Sequence, residues 1–130
     1  MVGKAKVVLT DYIWDSLEVE RKTLEGMADL VALQTKNPGE FLPAAEDCDA
    51  LLNTYARPIT AEVMARMGRC KIIACYGIGV DTIDLQAPTE AGIIVTNNPT
   101  YCVEEVAEHT MALLLACARK AAFYDLPGDR

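Results

Sequence analysis

Apolar residues in this chain come in short blocks separated by longer polar stretches. The blocks are Val7-Val8-Leu9, Leu30-Val31-Ala32-Leu33, Ala50-Leu51-Leu52-Asn53-Thr54, Lys71-Ile72-Ile73-Ala74-Cys75 and Ile93-Ile94-Val95-Thr96. Nearly continuous apolar runs of this length suit strands that are covered on both faces. Between them lie segments of helical character. Asp15 to Glu25 is polar and helix-forming, with Leu17 and Leu24 as its apolar marks, and Gly26 punctuates it. Glu40 to Asp47 makes a short helix. Thr60 is a good N-cap for a helix that ends near Gly68, and Ile59 and Met64 stand at the spacing of a hydrophobic staple. A short helix around Ile83 to Glu90 ends at Gly92, and a long one runs roughly from Val103 to Tyr124.

Strands alternating with helices predict a parallel, doubly wound α/β sheet. The number of strands suits the flavodoxin-like order 2-1-3-4-5. Residues 1–125 read as one domain with no linker, repeat or low-complexity segment, and 126–130 as a tail.

The long helix is apolar on most of its circumference. One stripe holds Val103, Val106, Ala107, Thr110, Leu113, Leu114, Cys117 and Ala121. A second holds Met111, Ala112, Leu115, Ala118, Ala122 and Phe123. A helix of this kind must be covered. The expectation is that it packs on its own sheet or is exchanged with a second copy, giving a homodimer through Val103 to Tyr124.

Charge narrows the choice of partners. The formal net charge is −7, which argues against nucleic acid and anionic membranes, since both call for a basic patch. Hydrophobic content of 52% points to a packed globular fold. The five cysteines, Cys48, Cys70, Cys75, Cys102 and Cys117, are odd in number and form no CxxC. They read as free thiols in a reducing compartment rather than as a disulfide or zinc framework. The N-terminus lacks the apolar run of a signal peptide, and Met111 to Ala118 is too short to span a bilayer. The expected setting is cytoplasmic.

Candidate chemistry centres on Cys75-Tyr76-Gly77-Ile78-Gly79-Val80-Asp81-Thr82-Ile83-Asp84, where two glycines arrive as the fourth strand ends. Glycine there permits a sharp turn and close approach to a ligand, and exposed turn N–H groups bind anions. A dinucleotide fingerprint needs GxGxxG and an acidic residue about 20 positions on. Here Thr82 replaces the third glycine, and the uncharged Asn97 and Asn98 stand at the downstream position. The alternative is a tight turn with no ligand.

Together with the residues downstream of it, this segment resembles the D-isomer-specific 2-hydroxyacid dehydrogenases. The resemblance is carried by Gly77 to Ala87, by Ala91-Gly92-Ile-Ile-Val95-Thr-Asn97-Asn-Pro99, by Val106-Ala-Glu-His-Thr110-Met-Ala-Leu-Leu-Leu115 and by Ala118-Arg-Lys120. It spans Asp49 to Lys120; in the first 48 residues only the strand–helix pattern fits. The resemblance implies a flavodoxin-like substrate-binding domain in which the glycine loop offers the N–H groups of Ile78 and Gly79 to the carboxylate of a small 2-hydroxy or 2-keto acid. It also implies substrate contacts from the loop of Tyr55 and Arg57, at the carboxyl edge where open α/β sheets bind ligands, and from Tyr101. Without a ligand Arg57 is a solvated loop arginine and Tyr101 a half-buried aromatic at a helix start.

In that family hydride transfer needs a following NAD(P)-binding domain with a complete GxGxxG, and a catalytic arginine, glutamate and histidine. The expectation is therefore a substrate-binding domain without cofactor, metal or catalytic residue of its own, inactive by itself. His109, the only histidine, has Glu105 four residues earlier on the long helix and reads as structural, as do Glu108 and Asp81. A competing reading is a non-enzymatic flavodoxin-like binding or structural module. A phospho-receiver would need an aspartate after the third strand, where Thr54 and Tyr55 stand, although Asp11 follows the first.

Overall fold

A computed structural model describes residues 3–121 and 124. The chain divides into two units, Met1–Pro99 and Thr100–Arg130. In the first unit five strands, β1 (Ala5–Leu9), β2 (Ala28–Ala32), β3 (Ala50–Asn53), β4 (Ile72–Cys75) and β5 (Ile94–Thr96), form one sheet. Its order is β2-β1-β3-β4-β5 and every pairing is parallel, as the apolar blocks predict. The connecting helices are α1 (Glu18–Leu24), α2 (Pro38–Ala45), α3 (Ala61–Arg66) and α4 (Gln86–Ala91).

The core follows from the strand pattern. Val8, Leu51 and Ile73 on the three central strands are fully buried, together with Phe41 of α2 and Ile59 ahead of α3. Packing of α2 on α3 and of α3 on α4 extends the cluster, which also takes in Cys48, Cys70 and Cys75. All five cysteines are free. Removing a fully buried Phe or Ile side chain from such a cluster costs about 2–5 kcal/mol.

Local signals set most helix ends. Thr60 caps α3 by accepting the Val63 N–H, and Ile59 and Met64 both join the core, as expected of a staple. Gly92 closes α4 at φ +67, the left-handed conformation that glycine adopts without strain. Three helix starts differ from the sequence reading. The first helix starts at Glu18 rather than Asp15, after Ser16 Oγ accepts the Glu18 N–H at 3.2 Å. The second starts at Pro38, because Asn37 accepts the Gly39 N–H at 2.9 Å and proline supplies a first helical residue that needs no donor. The fourth starts at Gln86, because Ile83 is engaged in a parallel bridge with Ile59, and Asp84 Oδ1 takes the Gln86 N–H at 3.0 Å.

The second unit holds α5, Val103–Ala118. The expected run from Val103 to Tyr124 is interrupted by a turn at Arg119 and Lys120, the latter with a left-handed φ of 53°, and Ala121 and Tyr124 beyond it are again helical. Ala122, Phe123 and the tail 126–130 lie outside the described residues. No helix of the described residues is long and apolar enough to cross a membrane.

Candidate functional site

The carboxyl ends of β3 and β4 sit side by side, with Asn53 paired to Cys75 as the ladder ends. The two chains separate there and meet again at the Ile59–Ile83 bridge, which is sealed by the Ile59 N–H on the Thr82 carbonyl at 2.9 Å and the Asp84 N–H on the Ile59 carbonyl at 3.0 Å. Two loops are thus pinned at both ends. One carries Tyr55 and Arg57, the other Gly77, Ile78 and Gly79. The Asn53 side chain spans the gap between them, donating to Thr82 Oγ1 at 3.4 Å while it accepts from Thr10 Oγ1 at 3.2 Å.

The glycine loop is held from behind. The Asn98 N–H donates to the Gly77 carbonyl at 3.1 Å, and Asn97 Nδ2 donates to the Ile78 carbonyl at 2.7 Å. In a trans peptide the C=O and the following N–H point in opposite directions. Fixing these two carbonyls toward Asn97 and Asn98 therefore turns the N–H groups of Ile78 and Gly79 the other way. Neither N–H has a hydrogen-bond partner among the described residues, and Ile78 is 42% exposed. Two adjacent donors are thus left open at the end of β4.

Any call for glycine here is one of room rather than handedness, and it falls on Gly79 alone. Neither Gly77 nor Gly79 has a positive φ; among described glycines only Gly26 and Gly92 do. A Cβ on Gly79 would stand 2.7 Å from Asp81 Oδ1, whereas a Cβ on Gly77 would meet nothing within 4 Å.

Two cations stand on the same edge. Arg57 is exposed, and its side chain makes no hydrogen bond or ion pair among the described residues. The Arg57 N–H donates to the Lys36 carbonyl at 3.2 Å, and Lys36 Nζ lies 4.9 Å from the centre of the Tyr55 ring. The Arg57–Pro58 bond is cis. Tyr101 falls in the second unit, just ahead of α5.

Asp11 has a structural task. It is 2% exposed, and its Oδ1 accepts the N–H groups of Tyr55 at 3.1 Å and Ala56 at 3.2 Å. Thr10 Oγ1 lies 3.0 Å from the same oxygen, and Thr54 Oγ1 donates to the Asp11 carbonyl at 2.7 Å. A carboxylate so occupied shapes the Tyr55–Arg57 loop and is not presented as a phosphate acceptor. Asp11, Lys36 and Asn97 are the residues that sequence reasoning missed as parts of the site. The signal available for Asp11 was its position directly after a strand, with the hydroxyl of Thr10 beside it.

The loop does not fit a dinucleotide. Pyrophosphate binding needs a helix that starts at the glycine turn, and α4 starts only at Gln86. The Asp81 carboxylate crowds Gly79, and the Asn97 amide is spent on the Ile78 carbonyl. Among the described residues no cluster of His, Cys, Asp and Glu is arranged to hold a metal.

These features define an open parallel α/β domain with a glycine turn, its two N–H groups open, at the carboxyl edge of its sheet. Residues 7–124 match the family model described as D-isomer specific 2-hydroxyacid dehydrogenase, catalytic domain, and the chain belongs to that family. It is 42% identical over 86 residues to D-3-phosphoglycerate dehydrogenase of Mycobacterium leprae (strain TN), covering 66% of this chain and 16% of that protein. It is 41% identical over 85 residues to glyoxylate reductase of Korarchaeum cryptofilum (strain OPF8), covering 65% and 26%. Among solved structures, the TT0316 protein of Thermus thermophilus superposes with a TM-score of 0.74 at 36% identity, covering 90% of this chain and 38% of that one. The chain thus spans well under half the length of the relatives it matches.

Proposed function

We propose that this chain is the substrate-binding domain of an NAD(P)-dependent D-2-hydroxyacid dehydrogenase and that it binds the acid's carboxylate without turning it over by itself. The parent reaction moves a hydride between the nicotinamide and the C2 carbon of a 2-hydroxy or 2-keto acid. The observation that carries the reading is the open N–H pair of Ile78 and Gly79, aimed by the Asn97 and Asn98 contacts on the carbonyls behind it. A carboxylate oxygen accepting both donors makes charge-assisted bonds, stronger than those of a neutral acceptor. Arg57 and Lys36 offset the chain's overall negative charge at this edge, and Arg57 suits a second anionic group on the acid. Phosphoglycerate and glyoxylate, the acids named by the two relatives, both carry the carboxylate this turn would hold.

The reading is tested by following backbone amide shifts during titration with glyoxylate, hydroxypyruvate or phosphoglycerate. Ile78 and Gly79 should move together and saturate in the millimolar range. If they stay still while the chain remains folded, the edge is a structural turn and the module reading stands. Adding reduced nicotinamide cofactor and a 2-keto acid should give no cofactor oxidation; turnover would overturn the claim of inactivity.

A second copy of this chain is the proposed cover for the apolar faces of α5. Light scattering across a concentration series should show a dimer, and a strictly monomeric species at the highest concentration would defeat it.

A further inference from the structure

Away from the carboxyl edge, two thiols meet where β3 and β4 begin. The strands pair Ala50 with Ile72, and the ladder continues upstream through the Lys71 N–H on the Asp49 carbonyl at 2.9 Å. Cys48 and Cys70 precede those partners by equal steps, which sets them side by side at the entry to the two strands. Each also leaves its helix in the same way. The Cys48 N–H returns to the Ala45 carbonyl at 3.1 Å and the Cys70 N–H to the Met67 carbonyl at 3.0 Å. The outcome is a pair of neighbouring thiols, 0% and 3% exposed, each acting on the other's ionisation, with the Cys70 thiol also donating to the Ile72 carbonyl at 3.4 Å. Neighbouring strands lie about 4.8 Å apart, inside the Cα separation of about 4.4–6.8 Å that a disulfide requires. Cys75, the other buried thiol, has the Asn53 side chain as its hydrogen-bonding neighbour instead.

We propose that Cys48 and Cys70 are a modification site: a buried dithiol that a small peroxide converts to a disulfide joining the starts of β3 and β4. Cys70 is the attacking sulfur. The hydrogen bond from the Cys48 thiol holds Cys70 below the usual thiol range, although burial opposes it, and the same bond together with burial pushes Cys48 up. The Cys70 thiolate attacks one oxygen of hydrogen peroxide and the O–O bond breaks. Hydroxide leaves, and Cys70 becomes a sulfenic acid. The Cys48 sulfur then attacks the Cys70 sulfur, the S–O bond breaks, and water departs with the Cys48 proton. Both thiols are oxidised, and one peroxide is reduced to water. Burial favours a small oxidant over a bulky disulfide, which could not reach either sulfur without local opening.

The test treats the folded 130-residue chain with hydrogen peroxide, alkylates remaining thiols under denaturing conditions and maps peptides without reductant. A Cys48–Cys70 linked peptide that disappears on reduction is expected. The triple variant Cys75→Ser, Cys102→Ser, Cys117→Ser should still form it, and Cys70→Ser should leave Cys48 alkylatable. Should Cys70→Ser fail to fold, the triple variant decides alone, since it leaves the pair untouched. Full alkylation of both Cys48 and Cys70 in the treated triple variant overturns the proposal, as does a link from either to a different cysteine in the unmodified sequence.

Discussion

The Asp11 carboxylate accepts the backbone N–H of Ala56 at 3.2 Å, tying the loop after β1 to the loop after β3 inside the protein. Tyr55 donates to the same side chain, so one buried carboxylate fixes the backbone from which Tyr55 and Arg57 project. Replacing Asp11 by Ala removes the acceptor and leaves buried donors unpaired, a loss of about 1–3 kcal/mol. Asp11→Asn keeps one oxygen acceptor and should cost less. Urea unfolding of the two variants checks the ranking. Equal stability of Asp11→Ala and wild type would mean that water replaces the carboxylate at no cost.

Asn97 should matter for binding more than for folding. Its side-chain amide holds the Ile78 carbonyl at an exposed position, where the net worth of one hydrogen bond is about 0.5–1.5 kcal/mol. Asn97→Ala frees the peptide that presents the Gly79 N–H. Carboxylate affinity should fall about 2- to 13-fold, the ratio that such an energy gives, while the unfolding midpoint shifts little. Asn98 acts through its backbone N–H, so Asn98→Ala should leave affinity near wild type. Titration of the two variants with the same acid separates aimed donors from a merely exposed loop.

The two loop glycines should respond differently to alanine. Gly77→Ala meets open space and a φ that any residue adopts, and should bind the acid like wild type. Gly79→Ala drives a methyl into Asp81 Oδ1, and either that side chain or the loop must shift. Binding should weaken, with only a modest change in stability. Asp81→Asn should act oppositely at this spot: it removes a negative charge beside the bound carboxylate, so affinity should rise and its salt dependence should change. If Gly77→Ala and Gly79→Ala weaken binding equally, close approach is not the reason for glycine at position 79.

Much of the fold is legible in the sequence because the information is local. Apolar blocks fix the strands, Thr60 and Gly92 mark helix ends by their own backbone chemistry, and the sheet order follows from the rules for parallel crossovers. The position of the glycine turn is readable too, from Gly77 and Gly79 at the end of a strand. Its mechanism is not, since it depends on contacts between distant segments. Sequence spacing presents Asn97 only at the place of a ribose partner, yet its amide turns back to the Ile78 carbonyl. Asp11 gives no hint of an attachment 45 residues along the chain. The glycines suggest a sharp turn, but neither has a positive φ, and a Cβ on Gly79 would meet Asp81. Misplaced helix starts share a feature: side-chain oxygens of Asn37, Ser16 and Asp84 accept backbone N–H groups two residues on, just where each helix begins.

Tyr76, the first residue of the glycine loop, should make stability depend on alkaline pH. Its ring packs on Trp14 with centroids 4.7 Å apart, and its hydroxyl donates to Glu20 Oε1 at 3.0 Å. Burial, reinforced by the Glu20 hydrogen bond and charge, raises the phenol well above the ordinary tyrosine range. The folded state therefore keeps its proton where the unfolded chain, ionising near pH 10, has begun to lose one. The stabilisation is fully present below about pH 10 and is lost as pH rises from there toward the folded value. Tyr76→Phe removes both the proton and the bond to Glu20. At neutral pH it should cost about 1–3 kcal/mol, because it strips the partner from a half-buried carboxylate whose other oxygen already has none among the described residues. The gap between wild type and Tyr76→Phe should then narrow between about pH 9 and 11 as ionisation of the unfolded wild-type chain draws it open. Urea midpoints measured across that range decide the matter. A gap that stays constant would show that the Tyr76 hydroxyl titrates alike in the folded and unfolded chain.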